Sequence, residues 1–483
     1  MRALSQDALG RLIASDGQRS DVLEATTAAT VIASDAVVVC SERALLRRAL
    51  RMGAVPGRAV CTKHQAALLK QAGCAVPKLP ADAPVEAVAA SYGDAMRSAG
   101  LDRVARLESS FLPVCERLQL AGLPIDLAGW DGVLDEAQRR AEAARQGLAS
   151  IIGRDLTGAP AVEPGERDKL IAYFRSQGFQ LKNLSKSVLA ELDHPAAKAL
   201  LVWREASKLT STYESYTDRQ VNGRIFGHFE PLGAQTGRMS CGHPNLQNIP
   251  AVLRPCVVAP PGRVLLSADY SGCELRIAAA LSGDPEFRAA LMSADFHSTV
   301  ASRLFGKPVS KTENPQLRHA AKAINFGLIY GMGAKALAAS LKIGTDEARD
   351  LLQRYFLGFP GLAAWRERAQ QEGARTLTLE TVSGRRLKME KNSGTLALNY
   401  PVQGGGADLI KWAAVRFDRL LPELPGRPVL VNMVHDELLV EVDESAAEAV
   451  RGALVEAMMG AGVDLFPSVP MAVDSALARR WDH

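Results

Sequence analysis

Val264-Leu265-Leu266-Ser267-Ala268-Asp269 is a short apolar run that ends on a carboxylate, and far downstream Pro428–Val434 (PVLVNMV) meets Glu437–Val442 (ELLVEV) across His435-Asp436. Runs of this length without helical spacing predict buried strands, and the two-residue link predicts a hairpin. Each run delivers an Asp at its tip. Between them, residues of about 285 to 375 carry helical periodicity, and SAAEAVRGALVEAMM beyond the hairpin forms another amphipathic helix. Strands separated by blocks of helices define an α+β class.

Working outward, residues 108 to 220 are strongly helical, with Arg139, Arg140, Arg145, Arg204 and Lys208 on polar faces. Such cations can hold a phosphate backbone, although charges alone favour a solvated face. Residues 36 to 76 alternate apolar runs (DAVVVC, GRAVC) with helical stretches, a small α/β unit. KLPADAPVEA, with Pro80 and Pro84, reads as a connector, which puts a boundary between residues 77 and 107. A chain of 483 residues with 47% hydrophobic and 23% charged residues folds into several packed units and is not a disordered polymer. A net charge of +4 permits nucleic acid as a partner without requiring it. Seven scattered cysteines lack any Cys-x-x-Cys pair, and an odd number cannot close fully into internal disulfides, which points to a reducing compartment. No apolar run reaches the roughly 18 to 20 residues that span a bilayer, and MRALSQDALGR has no signal-type core. The expectation is a cytoplasmic protein.

Strand-borne Asp269 and hairpin-borne Asp436 can meet on one sheet edge. Two carboxylates there suit Mg²⁺, and two such ions about 3.5–4 Å apart can clamp the attacking and leaving oxygens of a phosphoryl displacement. Taken singly, either Asp serves as well for a turn or a helix cap. In LRHAAKAINFGLIYGMG, Arg318, Lys322, Phe326 and Tyr330 recur every four residues, with Gly331 at a plausible stop. On a helix they form one stripe, cationic first and aromatic afterwards. A nucleoside triphosphate has that order of needs: fixed positive charge for phosphates, then a flat surface for the base. The alternative is an amphipathic helix with core aromatics and solvated cations.

Asp269-Tyr270-Ser271-Gly272-Cys273-Glu274-Leu275-Arg276, the Arg318 to Gly331 stripe and Val434-His435-Asp436-Glu437 resemble, in order, motifs A, B and C of family A DNA polymerases, the bacterial polymerase I family. Thr236-Gly237-Arg238, Asn245-Leu246-Gln247-Asn248-Ile249-Pro250, Asp295-Phe296-His297-Ser298 and Asn399-Tyr400-Pro401-Val402-Gln403-Gly404 extend the resemblance over residues 108 to 483.

The resemblance implies a right-hand polymerase with a thumb at 108–235, palm at 236–300 and 392–483, and fingers at 301–391, preceded by the α/β region 1–107. It implies a DNA-directed DNA polymerase, a nucleotidyltransferase acting in DNA replication or repair. Primer-template DNA and deoxynucleoside triphosphates would be its partners, in a bacterial cell or phage-infected host. The expected state is a monomer without membrane attachment; the sequence names no accessory protein. By similarity Asp269 and Asp436 hold two Mg²⁺ ions with the Tyr270 carbonyl, Glu437 standing adjacent. Arg318, Lys322 and His297 grip the triphosphate, Lys322 also donating a proton to pyrophosphate, and Phe326 and Tyr330 pack beside the nascent pair. Glu274 lies under the sugar and excludes a 2′-hydroxyl. Arg238 and Gln403 touch the minor groove; Asn245, Gln247, Asn399 and His435 contact primer-template.

The chain also departs from the family pattern. Gly272-Cys273 stands where Gln-Ile is usual, predicting a looser fit around the nascent pair, and Thr395 replaces a common arginine. Residues 1–107 lack the Asp-x-Glu strand with which a two-metal proofreading site begins, so no 3′-to-5′ exonuclease is expected, nor is there room for a usual 5′ nuclease domain. Two other readings compete: a single-subunit RNA polymerase, opposed by Glu274, and a non-catalytic primer-template-binding protein, opposed by Asp269, Asp436, Arg318 and Lys322.

Overall fold

The computed structural model describes residues 2–6, 12–15, 20–22, 37–52, 54, 56–80 and 83–482. Parts of MRALSQDALGR, the Asp35-Ala36 start of the first apolar run and Ala81-Asp82 of the connector lie outside them. The chain divides into two compact units, one of Met1–Gly122, Gly227–Asn248 and Pro261–Arg479, the other of Leu123–Phe226, Ile249–Pro260 and Arg480–His483.

The first unit begins with strands β1 (Arg2–Gln6), β2 (Leu12–Ser15), β3 (Ser20–Val22), β4 (Val37–Cys40) and β5 (Arg58–Cys61) in the order β3-β2-β1-β4-β5. β1 runs antiparallel to β2 and parallel to β4, which is parallel to β5. The parallel pairs need crossovers, and α1 (Arg43–Arg51) supplies the one from β4 to β5. Leu4, Val38, Leu46, Ala49 and Leu112 share one buried cluster. α2 (Thr62–Gln71) follows β5 directly, the helix Val85–Ser98 comes next, and α3 (Asp102–Ala121) packs beneath this region.

Further on, β6 (His228–Glu230) pairs antiparallel with β7 (Ser240–Gly242). The central sheet takes β8 (Arg263–Tyr270), β9 (Val429–Val434), β10 (Glu437–Asp443) and β11 (Val473–Ala478) in the order β9-β10-β8-β11, all antiparallel. The three strands read from the sequence are therefore neighbours. Residues 264–268 and 437–442 are buried on both faces, which is why their apolar runs do not alternate. α4 (Cys273–Ser282) leaves β8 through Gly272, whose left-handed conformation (φ 64°) turns the chain from strand to helix. Asp295 caps the helix Phe296–Phe305, accepting from Ser298 N–H. α5 (Pro315–Ile329) carries the predicted stripe and stops with Tyr330 as its cap and Gly331 at φ 74°. α6 (Gly394–Leu420) starts on Ser393, which accepts from Leu396 N–H, and α7 (Ala447–Leu465) packs on it.

The second unit is built on the helices Leu127–Ile152 and Pro195–Thr217, which pack along each other. Trp130 is fully buried against Tyr213 and Tyr216, and its indole N–H donates to the Tyr213 carbonyl at 3.2 Å. Three of its five predicted cations have local partners: Arg139 pairs with Glu136, Arg145 with Glu142 and Glu163, and Arg204 donates to Leu184 O. Among the described residues no helix is long and apolar enough to cross a membrane.

Candidate active site

The antiparallel register sets Asp269 between Glu437 on β10 and Asp474 on β11. Asp436 occupies the turn between β9 and β10, and its carbonyl accepts from Tyr270 N–H at 3.2 Å. That backbone bond pins the hairpin tip to the end of β8 and brings the Asp269 and Asp436 carboxyls into contact. Burial, then Asp436 and Glu437, push Asp269 up to about 7. Burial also raises Asp436. Two carboxyls in contact, both raised by burial, form a hard oxygen donor set that a divalent cation would hold ionised. Among the described residues no group of three or more His, Cys, Asp or Glu closes around one point. Mg²⁺ needs no such cage, because it keeps waters and phosphate oxygens beside one or two carboxylates. The residues present fit that ion. The Tyr270 side chain points the other way, fully buried with its hydroxyl on Met458 O at 2.6 Å, so its backbone alone faces the pair.

A pocket of 320 Å³ opens beside Asp436, lined by Arg238, Cys273, Glu274, Tyr330, Gly406 and His435. The Glu274 carboxylate is held from two sides: Arg238 donates to one oxygen at 2.8 Å and the Tyr330 hydroxyl to the other. Tyr330 is driven well above the usual phenol range by burial and then by Glu274. It remains a donor. His435 is exposed in a left-handed conformation (φ 51°) at the turn. Gln403 stands one turn before Gly406 on α6, while the Asn399 side-chain oxygen is buried with no hydrogen-bond partner among the described residues.

The cationic end of the stripe forms a second cluster. Arg318 makes a two-pronged pair with Asp295 (2.7 and 3.1 Å), which holds that carboxyl well below its usual range. His297 packs beside Phe326 with ring centroids 5.7 Å apart, and its Nδ1 meets the Asn325 amide at 3.0 Å. Asn325 in turn accepts from Tyr355 at 2.9 Å. Lys322 is exposed on the same helix. Burial first, then Arg318 and Lys322, push His297 down to about 4. An unfolded histidine titrates near 6.5, so between those values the unfolded chain binds more protons and acid removes stability. The urea midpoint is expected to fall between pH 6.5 and 4 more steeply in the native protein than in His297→Gln; parallel curves would contradict the burial argument.

Asn245 and Gln247 lie in a loop clipped to β9: Gln247 donates to Met433 O and Asn432 to Leu246 O, each at 2.9 Å. Asn245 accepts from Gln247 N–H at 3.0 Å. Thr395 lies against Gly331, where an added Cβ would come within 3.2 Å of its Cα. The sequence reading missed Asp295 as the counter-ion of Arg318, Asn325 and Tyr355 behind His297, and Asp474 opposite Asp269. A cap signal, Asp followed three residues later by Ser, was there for Asp295; for the others only folded pairing reveals the role.

An antiparallel sheet that presents paired carboxylates at its strand ends, with the aromatic end of a cationic and then aromatic helix reaching Glu274 beside them, is the arrangement of a right-hand nucleotidyl-transfer enzyme. Residues 172–483 match the model of DNA polymerase family A. DNA polymerase I of Aquifex aeolicus is 33% identical over 397 residues, covering 78% of this chain and 67% of that protein. DNA polymerase I of Pseudomonas aeruginosa is 39% identical over 315 residues, covering 61% of this chain and 34% of its own length. The solved POL domain of Pol1 from M. smegmatis, in complex with DNA primer-template and dNTP, superposes with a TM-score of 0.83 at 27% identity, over 98% of this chain and 92% of that one. The chain belongs to DNA polymerase family A, a metal-dependent family, and spans about a third of the length of relatives such as the Pseudomonas enzyme.

Proposed function

We propose that this chain is a template-directed DNA polymerase that adds deoxynucleoside triphosphates to a primer 3′-hydroxyl by two-metal phosphoryl transfer and lacks 3′-to-5′ proofreading. The observation that carries the reading is the contact between Asp269 and Asp436 at the mouth of the pocket lined by Arg238, Glu274 and Tyr330. Two Mg²⁺ ions held by these carboxylates and the Tyr270 carbonyl would supply activation of the primer hydroxyl and neutralisation of the departing pyrophosphate. Glu437, registered opposite Asp269, adds negative charge at the rim of that site. Domain roles follow the sequence reading, with the thumb at 108–235, palm at 236–300 and 392–483, and fingers at 301–391.

Arg318, Lys322 and His297 receive the triphosphate. Arg318 must exchange Asp295 for phosphate, so nucleotide binding and movement of α5 are coupled. His297, neutral at pH 7, donates or accepts one hydrogen bond and adds no charge. Lys322 is free to protonate pyrophosphate. Phe326 and Tyr330 pack on the nascent pair, and Arg238 and Gln403 test its minor-groove edge, where acceptors occupy similar places in every correct pair. Asn245, Gln247, Asn399 and His435 hold primer-template. The protein acts as a monomer in the cytoplasm of a bacterium or phage-infected host.

The test is extension of a labelled primer on a DNA template with Mg²⁺ and each deoxynucleotide in turn. Templated addition without removal of a mispaired 3′ nucleotide is expected. Untemplated addition, preference for ribonucleotides, or trimming of the mispair would each overturn a stated part of the reading.

The Gly272-Cys273 departure gives a second expected result. At Gly272 an added Cβ would meet only the Leu275 side chain at 3.9 Å, so there is room for a larger residue. Its left-handed backbone costs a non-glycine residue about 1 kcal/mol. Cys273 is buried and lines the pocket. Gly272→Gln with Cys273→Ile is expected to lower misincorporation several-fold at a small loss of thermal stability; unchanged error rates would remove the link between these small residues and fidelity.

A further inference from the structure

Arg238 lies near the end of a strap, Phe229 to Ser240, that has little structure of its own. β6 and β7 pair over three residues each. Between them a turn is closed by Gly237 N–H on Ala234 O (2.9 Å) and Ala234 N–H on Arg238 O (3.1 Å). Its conformation is imposed by side chains from other elements. Gln119 of α3 accepts from Phe229 N–H at 2.9 Å. Arg43 of α1 donates to Phe229 O at 2.6 Å and to the Glu230 carboxylate at 2.9 Å, while its Nε holds the buried Glu116. Lys411 of α6 donates to Pro231 O at 2.8 Å. The Gln71 amide, at the end of α2, donates to Gln235 O. The Arg385 side chain lies against Gly237, where an added Cβ would stand 2.4 Å from its Nε.

The anchors are themselves locked. Arg385 and Lys411 are fully buried and share Glu108, and Arg385 also binds Asp408 at 2.7 and 2.9 Å. Thr381 and Ser383 hydroxyls donate to the other Asp408 oxygen, and His64 of α2 reaches Glu108 at 3.2 Å. Burying such charges is costly before pairing, and apolar residues of similar volume stabilise a core as well or better. What the ions add is a fixed geometry at the strap. Two of its handholds, Arg43 and Gln71, come from the N-terminal α/β region, whose role the sequence left open.

We propose that Arg43 and Gln71, with Arg385, are positioning residues for Arg238, so that the N-terminal region braces the site where the nascent base pair is tested. This rests on the polymerase reading. The brace acts through one guanidinium: a strap displaced by about an ångström carries Arg238 away from Glu274 and from the pair it contacts, and errors of that size are costly in rate.

The test is single-nucleotide incorporation on a matched primer-template, with kcat and the nucleotide KM read separately, for Arg43→Ala, Gln71→Ala and Arg238→Ala and for each of the first two combined with Arg238→Ala. Each brace variant is expected to lose kcat by roughly threefold to tenfold, and to lose nothing further in the Arg238→Ala background. Arg43→Lys, which keeps the positive charge and N–H donors but not the three-way fork, should recover part of the rate. Losses that multiply in the double variants, or brace variants with native rates, would overturn the proposal. Gln71 is half-buried and its truncation removes one hydrogen bond, so this variant keeps the test alive if Arg43→Ala, which leaves Glu116 to Arg47 alone, fails to fold. A native chain that extends no primer would fell the polymerase reading itself; a native chain that extends while the cycles multiply would fell only the brace.

Discussion

Asp436→Ala is expected to reduce primer extension by on the order of 10³-fold or more while leaving the fold intact. The two effects have separate causes. The Asp436 residue anchors the hairpin through its backbone carbonyl on Tyr270 N–H, which the substitution keeps. Its side chain, by contrast, is half of the carboxyl pair it forms with Asp269, and loss of a metal clamp removes several kcal/mol of transition-state stabilisation, with each 1.36 kcal/mol worth tenfold. Stability should move the other way. Burial and the neighbouring carboxylates push Asp269 up, and burial raises Asp436, so removing one of the pair relieves that penalty and raises the melting temperature of the metal-free protein. Mg²⁺ should stabilise the native chain against heat and leave the variant unmoved. Extension within tenfold of native, or an equal thermal response to Mg²⁺, would overturn the assignment.

The parts of this site legible in the sequence were those that local pattern encodes. Apolar runs placed Asp269 and Asp436 at strand ends, and the four-residue spacing placed Arg318, Lys322, Phe326 and Tyr330 on one helix. The chain order of the motifs then carried the family resemblance. What stayed hidden depends on pairing between distant segments. Asp474 sits in a strand with no carboxylate motif, and only the register of β8 with β11 sets it opposite Asp269. Glu108, Arg385, Asp408 and Lys411 look in sequence like charges on solvated faces, yet all four are buried. A charge is read as exposed unless its partner is known, and here the partners Glu108 and Lys411 lie on helices far apart in the chain. The same limit applied in reverse to Arg139 and Arg145, whose neighbours Glu136 and Glu142 already answer them. The N-terminal sheet was legible only where β4 and β5 form apolar runs; β1 to β3 are short and mixed, and their pairing follows from a core they do not individually announce.

Glu274→Ala is expected to raise ribonucleotide incorporation relative to deoxynucleotide on the order of 10²-fold. In the polymerase reading the Glu274 side chain fills the floor under the incoming sugar, and it cannot swing aside because Arg238 and Tyr330 hold both of its oxygens. A 2′-hydroxyl would have to displace a carboxylate fixed at two points. Overpacking of that kind costs about 1–3 kcal/mol, and 1.36 kcal/mol is worth tenfold. The same clamp predicts a second loss. Alanine leaves the Tyr330 hydroxyl and the Arg238 guanidinium without their partner, so deoxynucleotide addition should also slow, roughly tenfold. Glu274→Gln separates the two effects. It keeps the volume, and with it the exclusion of ribose, but weakens the charge-assisted bond to Arg238. The expected pattern in single-turnover kinetics is relaxed sugar choice in the alanine variant alone and slowed deoxynucleotide addition in both. Sugar choice relaxed equally by glutamine would mean that charge rather than bulk makes the distinction. Undiminished exclusion of ribonucleotides by an active alanine variant would mean that the gate lies elsewhere, and would reopen the assignment of the pocket beside Asp436.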